Sequence, residues 1–291
     1  MNKAQSTLLP DGRRLHLQHG PCDLIVEAFG DQVEVQKTYE QASERFSIVL
    51  DELVPELQHL RKPAAFDFDG VIAKRMSAAI RPHEDCFVTP MVSVAGAIAD
   101  EILAVMIAGR RLERAYVNNG GDIALYLYEE ASFEIGLVAT TNPPTMAGKV
   151  SVSNQDHVRG VATSGRHGRS LSMGIADAVT VLADTAASAD VAATLIANAI
   201  DLSGHPSISR SPAYKIDPDS DLGDKLVTVE VGHLTHVETL TALKAGCSVA
   251  DTMVQNNQIV AAALCLNGDV LIAGEMPCND VIKEERKLLY A

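Results

Sequence analysis

Several short stretches of this chain place hydroxyls, carboxylates and glycines where they could grip a ligand. Between two apolar runs stands Asn118-Asn119-Gly120-Gly121-Asp122. Asn and Gly accept positive φ at little cost, so the stretch reads as a type I′ hairpin turn. Its glycines also remove Cβ atoms, which lets backbone N–H groups approach a flat ring or a phosphate, and Asp122 can accept from a ring N–H or a ribose hydroxyl. Taken alone, the stretch is either a plain turn or a ligand wall. Farther on, Val161-Ala162-Thr163-Ser164-Gly165 ends a strand-like run in two hydroxyls and a glycine. That combination suits phosphate oxygens, and equally an ordinary strand end with a Ser-Gly turn. Arg166, His167 and Arg169 follow, adding local positive charge or simply a solvated loop.

Asp190 and Thr194 stand four positions apart in an Ala-rich run with helical character. They therefore project from one helix face about one turn apart. A carboxylate and a hydroxyl are hard oxygen ligands suited to Mg2+, which keeps waters and shares phosphate oxygens with its substrate. The same spacing is common on solvated helix faces. Asp100 closes Ala95-Gly96-Ala97-Ile98-Ala99-Asp100, and with Glu101 it reads either as a pocket carboxylate or as a charged face. His83 and Cys86, a lone His beside a lone Cys, read as structural.

The elements that must position these groups follow from periodicity and turn chemistry. Cys22–Gly30 reads as a strand after an N-terminal tail, and Tyr39–Pro63 as a helical stretch interrupted near Pro55. A helix over residues 91–108 has Thr89 as N-cap, Pro90 at the first position and Gly109 past its end. Strands are expected at 114–118, 122–128, 132–140, 157–165 and 177–183, then a helix capped near Asp184 or Thr185 and closed around Ser203-Gly204. Residues 203–226, rich in Pro, Ser, Asp and Gly, read as loop. Beyond them come a strand at 226–234, a helix at 237–257 and two strands joined by the Asn267-Gly268 turn. Strands and helices mixed in runs, without regular alternation, imply an α+β fold.

At 291 residues the chain is long enough for a substantial core, and it is read as a single domain over 1–291 with the motif-bearing part at about 90–200. A net charge of −14 and the lack of a long basic run argue against nucleic acid, whose phosphates need clustered Lys and Arg. Cys22, Cys86, Cys247, Cys265 and Cys278 show neither a CxxC pair nor zinc-like spacing, so they read as buried or free thiols in a reducing compartment. The start lacks the apolar centre of a signal peptide, and no uninterrupted apolar span reaches the roughly 18 residues that suggest a membrane helix. The expectation is a cytoplasmic protein without a membrane partner.

The order Val92–Ile102, Tyr116–Leu127, Gly160–Gly165 and Val179–Ala197 resembles the ApbE-like superfamily, best known for magnesium-dependent FAD:protein FMN transferases. The resemblance covers about a third of the chain. It implies ApbE-like mixed sheets packed with Ala-rich helices. It implies a pocket for FAD, FMN or an adenine nucleotide lined by Asp100, Asn119, Gly120, Gly121, Asp122, Thr163, Ser164 and Gly165, and Mg2+ on Asp190 and Thr194. Two departures stand out. Ala95 replaces the Lys that precedes the motif glycine, and a His-x-x-Asp-Pro stretch is absent, with Asp177 in the shorter segment that replaces it. The chain is thus more similar to the small ApbE-like branch outside the proven transferases. The functions implied are flavin or nucleotide binding, with FMN transfer to an acceptor protein as the activity of the family. The alternatives are a non-catalytic flavin carrier and an enzyme acting on an unrelated small metabolite in the same pocket. A homo-oligomer is compatible with all three.

Overall fold

The computed structural model describes residues 3–63, 66–141, 144–277 and 289–290. The chain divides into two compact units. The first contains Met1–Phe133, Ser153–Ala162 and Ala183–Val191, and the second Glu134–Val152, Thr163–Leu182 and Ala192–Ala291.

In the first unit, strands Gln5–Leu8, Leu15–His19, Cys22–Gly30, Leu112–Asn119 and Asp122–Leu127 pair antiparallel in that order. Ile123 and Ala124 then pair with Val161 and Gly160 of the strand Gly160–Ser164. Alternation sends Leu15, Leu17, Leu24, Val26, Ala115 and Val117 to one buried face. The helix Gln32–Ser47 packs on the second and third of these strands, and Val94–Ile107 on the fourth and fifth. Val71–Ile80 packs against Val94–Ile107.

Local chemistry explains the helix ends. Asp31 caps Gln32–Ser47 by accepting the Val33 and Glu34 N–H groups, and Thr38, Tyr39, Ala42 and Phe46 form its buried stripe. Thr89 is extended, Pro90 opens the 3-10 turn Pro90–Ser93 that leads into Val94–Ile107, and Gly109 takes φ +66° after its end. Pro90–Ile107 is long and apolar enough to cross a membrane by length and composition alone. Asp100 and Glu101 interrupt it, and Ile98, Ile102 and Met106 are buried within the unit.

In the second unit, Ala178–Ala183, Ala261–Leu266 and Asp269–Gly274 form an antiparallel sheet backed by the helix His236–Gln255. A capping box between Thr235 and Glu238 starts that helix. Ser132–Thr141 and Pro144–Ser153 form a two-stranded sheet, as do Ile208–Pro212 and Leu226–Val231. The helix Ala186–Ala199 begins in the first unit, and its later residues belong to the second.

The expected α+β class is the observed one. Three expectations are corrected. The N-terminal tail contains two strands, and the first helix starts at Gln32, seven residues before Tyr39. Residues 203–226 hold the strand Ile208–Pro212 and the short helix Ala213–Ile216. Val71–Ile80 and Pro144–Ser153 were not anticipated.

Candidate functional site

The Gly-Gly hairpin is tighter than its sequence suggests. Asn119 pairs with Asp122, so the two central residues are Gly120 and Gly121, at φ +68° and +117°, in place of the Asn-Gly pair expected to carry positive φ. Asn118 Oδ1 accepts the Gly121 N–H at 2.9 Å. Asn119 is buried, and its Nδ2 donates to the Ala95 carbonyl at 3.1 Å, tying the hairpin to the helix Val94–Ile107. A Cβ on Gly121 would meet open space, so its backbone conformation, and not crowding, calls for glycine there.

Beside this turn lies the start of the helix Ala186–Ala199. Asp100 accepts the Ala186 N–H at 3.0 Å with one oxygen and the Ala187 N–H at 2.9 Å with the other. These are orphan amides of a helix N-terminus, and a carboxylate is the group their partial positive charge favours. Within the capped segment, Thr185 Oγ1 accepts the Ser188 N–H at 3.1 Å, in agreement with the expected cap. Two glycines abut consecutive peptides here: a Cβ on Gly96 would overlap the Ala186 carbonyl, and one on Gly160 would overlap that of Thr185. One turn on, Asp190 Oδ2 accepts the Gly96 N–H at 3.1 Å.

The electrostatics are unfavourable to anions. Asp190 keeps only part of its surface open to solvent. Its carboxyl is pushed well above the usual range by burial first and by the Asp122 charge next, with Asp100 adding and the Gly96 N–H opposing. Burial also raises Asp100 to about 6, against the Ala187 and Ala186 amides and the Arg75 charge. Carboxylates held together at such a cost are a place where a cation would be stabilising. Among the described residues no group of three or more His, Cys, Asp or Glu is arranged to hold a metal ion. A cation at Asp190 would therefore complete its shell with water or ligand oxygens, a habit of Mg2+.

Thr163, Ser164, Gly165 and Thr194 belong to the second unit. Thr163 and Thr180 share a hydroxyl–hydroxyl hydrogen bond of 2.9 Å, and Thr194 Oγ1 donates to Ser164 Oγ at 3.4 Å. A Cβ on Gly165 would stand 2.5 Å from the Asp177 carbonyl oxygen. Asp177, buried, is a local node. Its Oδ1 accepts from Arg166 Nε and Nη2 at 3.0 and 2.7 Å, and its Oδ2 accepts the Asn267 N–H at 2.7 Å. The Cys265 thiol is raised to about 12 by burial and the Asp177 charge.

The positive charge expected after the Ser-Gly turn is thus committed: Arg166 is bound to Asp177, with His167 at 3.6 Å. His83 is buried and its pKa lowered by desolvation, while Cys86 is exposed. Cys22, Cys247 and Cys265 are buried, and Cys278 lies outside the described residues. Gly160 and Asn267 escaped the sequence reading as contributors. A glycine opening an otherwise apolar strand was the available signal for the first, and none marked Asn267 beyond its turn.

Comparison with known proteins agrees with this architecture. A family model described as AbpE bacteria matches residues 6–272. A UPF0280 protein of Methanothermobacter thermautotrophicus is 37% identical over 146 residues, which cover 50% of this chain and 54% of that protein. One of Methanopyrus kandleri is 41% identical over 129 residues, 44% of this chain and 48% of that protein. The chain thus spans about half the length of these curated relatives. The crystal structure of the ApbE protein from Thermotoga maritima superposes with a TM-score of 0.50 at 12% identity, covering 91% of this chain and 96% of that one. That likeness concerns fold. With the match over 6–272, the chain belongs to the AbpE bacteria family and has the ApbE-like α+β fold.

Proposed function

We propose that this protein binds a flavin or adenine nucleotide with the help of Mg2+, in the manner of the ApbE superfamily. The observation that supports it is Asp190: a carboxylate braced by the Gly96 amide beside Asp122 and Asp100, within a chain whose family match spans 6–272. Asp190 would hold the ion, which would supply charge neutralisation to a diphosphate. The Gly120-Gly121 backbone suits close approach to a ring or phosphate, with Asp122 as an acceptor. Thr163, Ser164 and Gly165 are a second candidate phosphate cradle.

Transfer of FMN requires more. A Ser or Thr hydroxyl of an acceptor protein would attack the phosphorus on the FMN side, the bond to AMP would break, and a base would take the hydroxyl proton. The family's His-x-x-Asp-Pro segment is absent. Asp177, the carboxylate in its place, is buried in hydrogen bonds to Arg166 and Asn267. This favours a carrier or binding role over brisk transfer, because general acid–base help is commonly worth about 10²–10⁴-fold. Parallel equilibrium binding of FAD, FMN and ADP and an AMP-release assay test the reading. Affinity with little AMP release is expected; rapid magnesium-dependent release with covalent flavinylation would establish the transferase instead, and no nucleotide affinity would end both readings.

A further inference from the structure

The geometry points to Asp100 as a positioning residue that acts through Asp190 by fixing the start of the helix Ala186–Ala199. This rests on the proposed role of Asp190 in magnesium-assisted nucleotide binding. Both Asp100 oxygens are engaged by backbone amides, at 3.0 Å from Ala186 and 2.9 Å from Ala187. Those amides belong to the first turn of the helix that carries Asp190 one turn later. The contact is made from a different helix, so it fixes one element relative to the other and does not merely cap locally. The two flanking glycines narrow the choice further. Gly160 lets the Thr185-Ala186 peptide, and Gly96 the Ala186-Ala187 peptide that follows it, lie against backbone where any Cβ would displace them. With the helix start held in that slot, Asp190 meets the Gly96 N–H at 3.1 Å. Gly96 lies on the same helix as Asp100, four residues earlier. The helix Val94–Ile107 therefore holds the other helix at two points one turn apart, through Asp100 on the Ala186 and Ala187 amides and through the Gly96 amide on Asp190. Loosening the first frees the second, although Asp100 makes no hydrogen bond to Asp190.

Acceptance of hydrogen bonds, and not charge at a ligand, is what this role requires, and two variants separate the two. Asp100→Ala removes both acceptors, whereas Asp100→Asn removes the charge and keeps an acceptor oxygen. Two quantities are read on folded protein: hydrogen exchange of the segment covering Ala186 and Ala187, and the ratio of FAD affinities with and without Mg2+. In Asp100→Ala exchange should quicken by about tenfold or more, as expected for loss of hydrogen bonds to a charged group. The magnesium ratio should fall by a similar factor. Asp100→Asn, which keeps one of the two acceptors and sets its NH2 against the other amide, should recover part of both. Should Asp100→Ala not fold, Asp100→Ser is read in its place. Unchanged exchange, or faster exchange with an unaltered magnesium ratio, would overturn the inference, as would an Asn variant as impaired as Ala. A wild type with no magnesium ratio at all would defeat the reading of Asp190 and take the positioning role with it. The exchange result alone would then still show whether the Asp100 clamp exists.

Discussion

A Cβ built on Gly160 would overlap the carbonyl of Thr185, so the strand opening at Gly160 and the peptide before the helix Ala186–Ala199 touch backbone to backbone. Thr185 then has nowhere to retreat, because a Cβ at Gly96 would meet the next peptide from another element. Gly160→Ala should therefore cost about 3 kcal/mol or more, at or beyond the upper end for overpacking. Urea unfolding measures it. A loss under about 1 kcal/mol would show that this contact relaxes freely.

The acidic site should make the ligand-free protein less stable as pH rises. Asp100 is raised to about 6 from an ordinary 3.8, and Asp190 is raised as well. Each folded-state carboxyl binds its proton more tightly than the unfolded one. The ionised form is thus penalised by folding, and the penalty grows as pH climbs from 3.8 through the folded-state pKa. Asp190→Asn removes its share. Unfolding midpoints from pH 4.5 to 8 should show the variant gaining on the wild type with rising pH, and a constant difference across that range would contradict the assignment.

Substitution at Asp177 should cost stability. Its carboxylate is already satisfied by Arg166 and by the Asn267 amide. Asp177→Ala leaves a part-buried guanidinium and an N–H without their partner, a change expected to cost about 2–3 kcal/mol. Thermal or urea unfolding is the measurement. If Asp177 instead served only a ligand, the variant would keep its stability and lose affinity.

Much of this was legible in the chain because local chemistry and tertiary structure agree. Pro90 at a helix start, Gly109 past a helix end and the Asn267-Gly268 turn state their own conformations, and all three appear where expected. Strands with regular alternation, such as Cys22–Gly30, were equally plain. Gln5–Leu8 was hidden because every residue in it is exposed, leaving no apolar pattern to read. Ile208–Pro212 lay inside a run of turn-forming residues, and pairing with Leu226–Val231 overrides that local preference. For the site, residue types indicated acceptors and close approach but not which groups were already engaged. That Asp100 grips helix amides and that Asp177 grips Arg166 depends on partners 86 and 11 positions away. Spacing within one element carries no trace of either.

The central claim is that Asp190 anchors Mg2+ for a nucleotide, and one comparison addresses it: FAD affinity with and without Mg2+ for the wild type and Asp190→Ala. Weak magnesium binding aided by phosphate oxygens predicts little stabilisation by the ion alone and a clear tightening of FAD binding when both are present. In Asp190→Ala that tightening should vanish while magnesium-free FAD affinity persists. A variant that responds to Mg2+ as the wild type does would contradict the account.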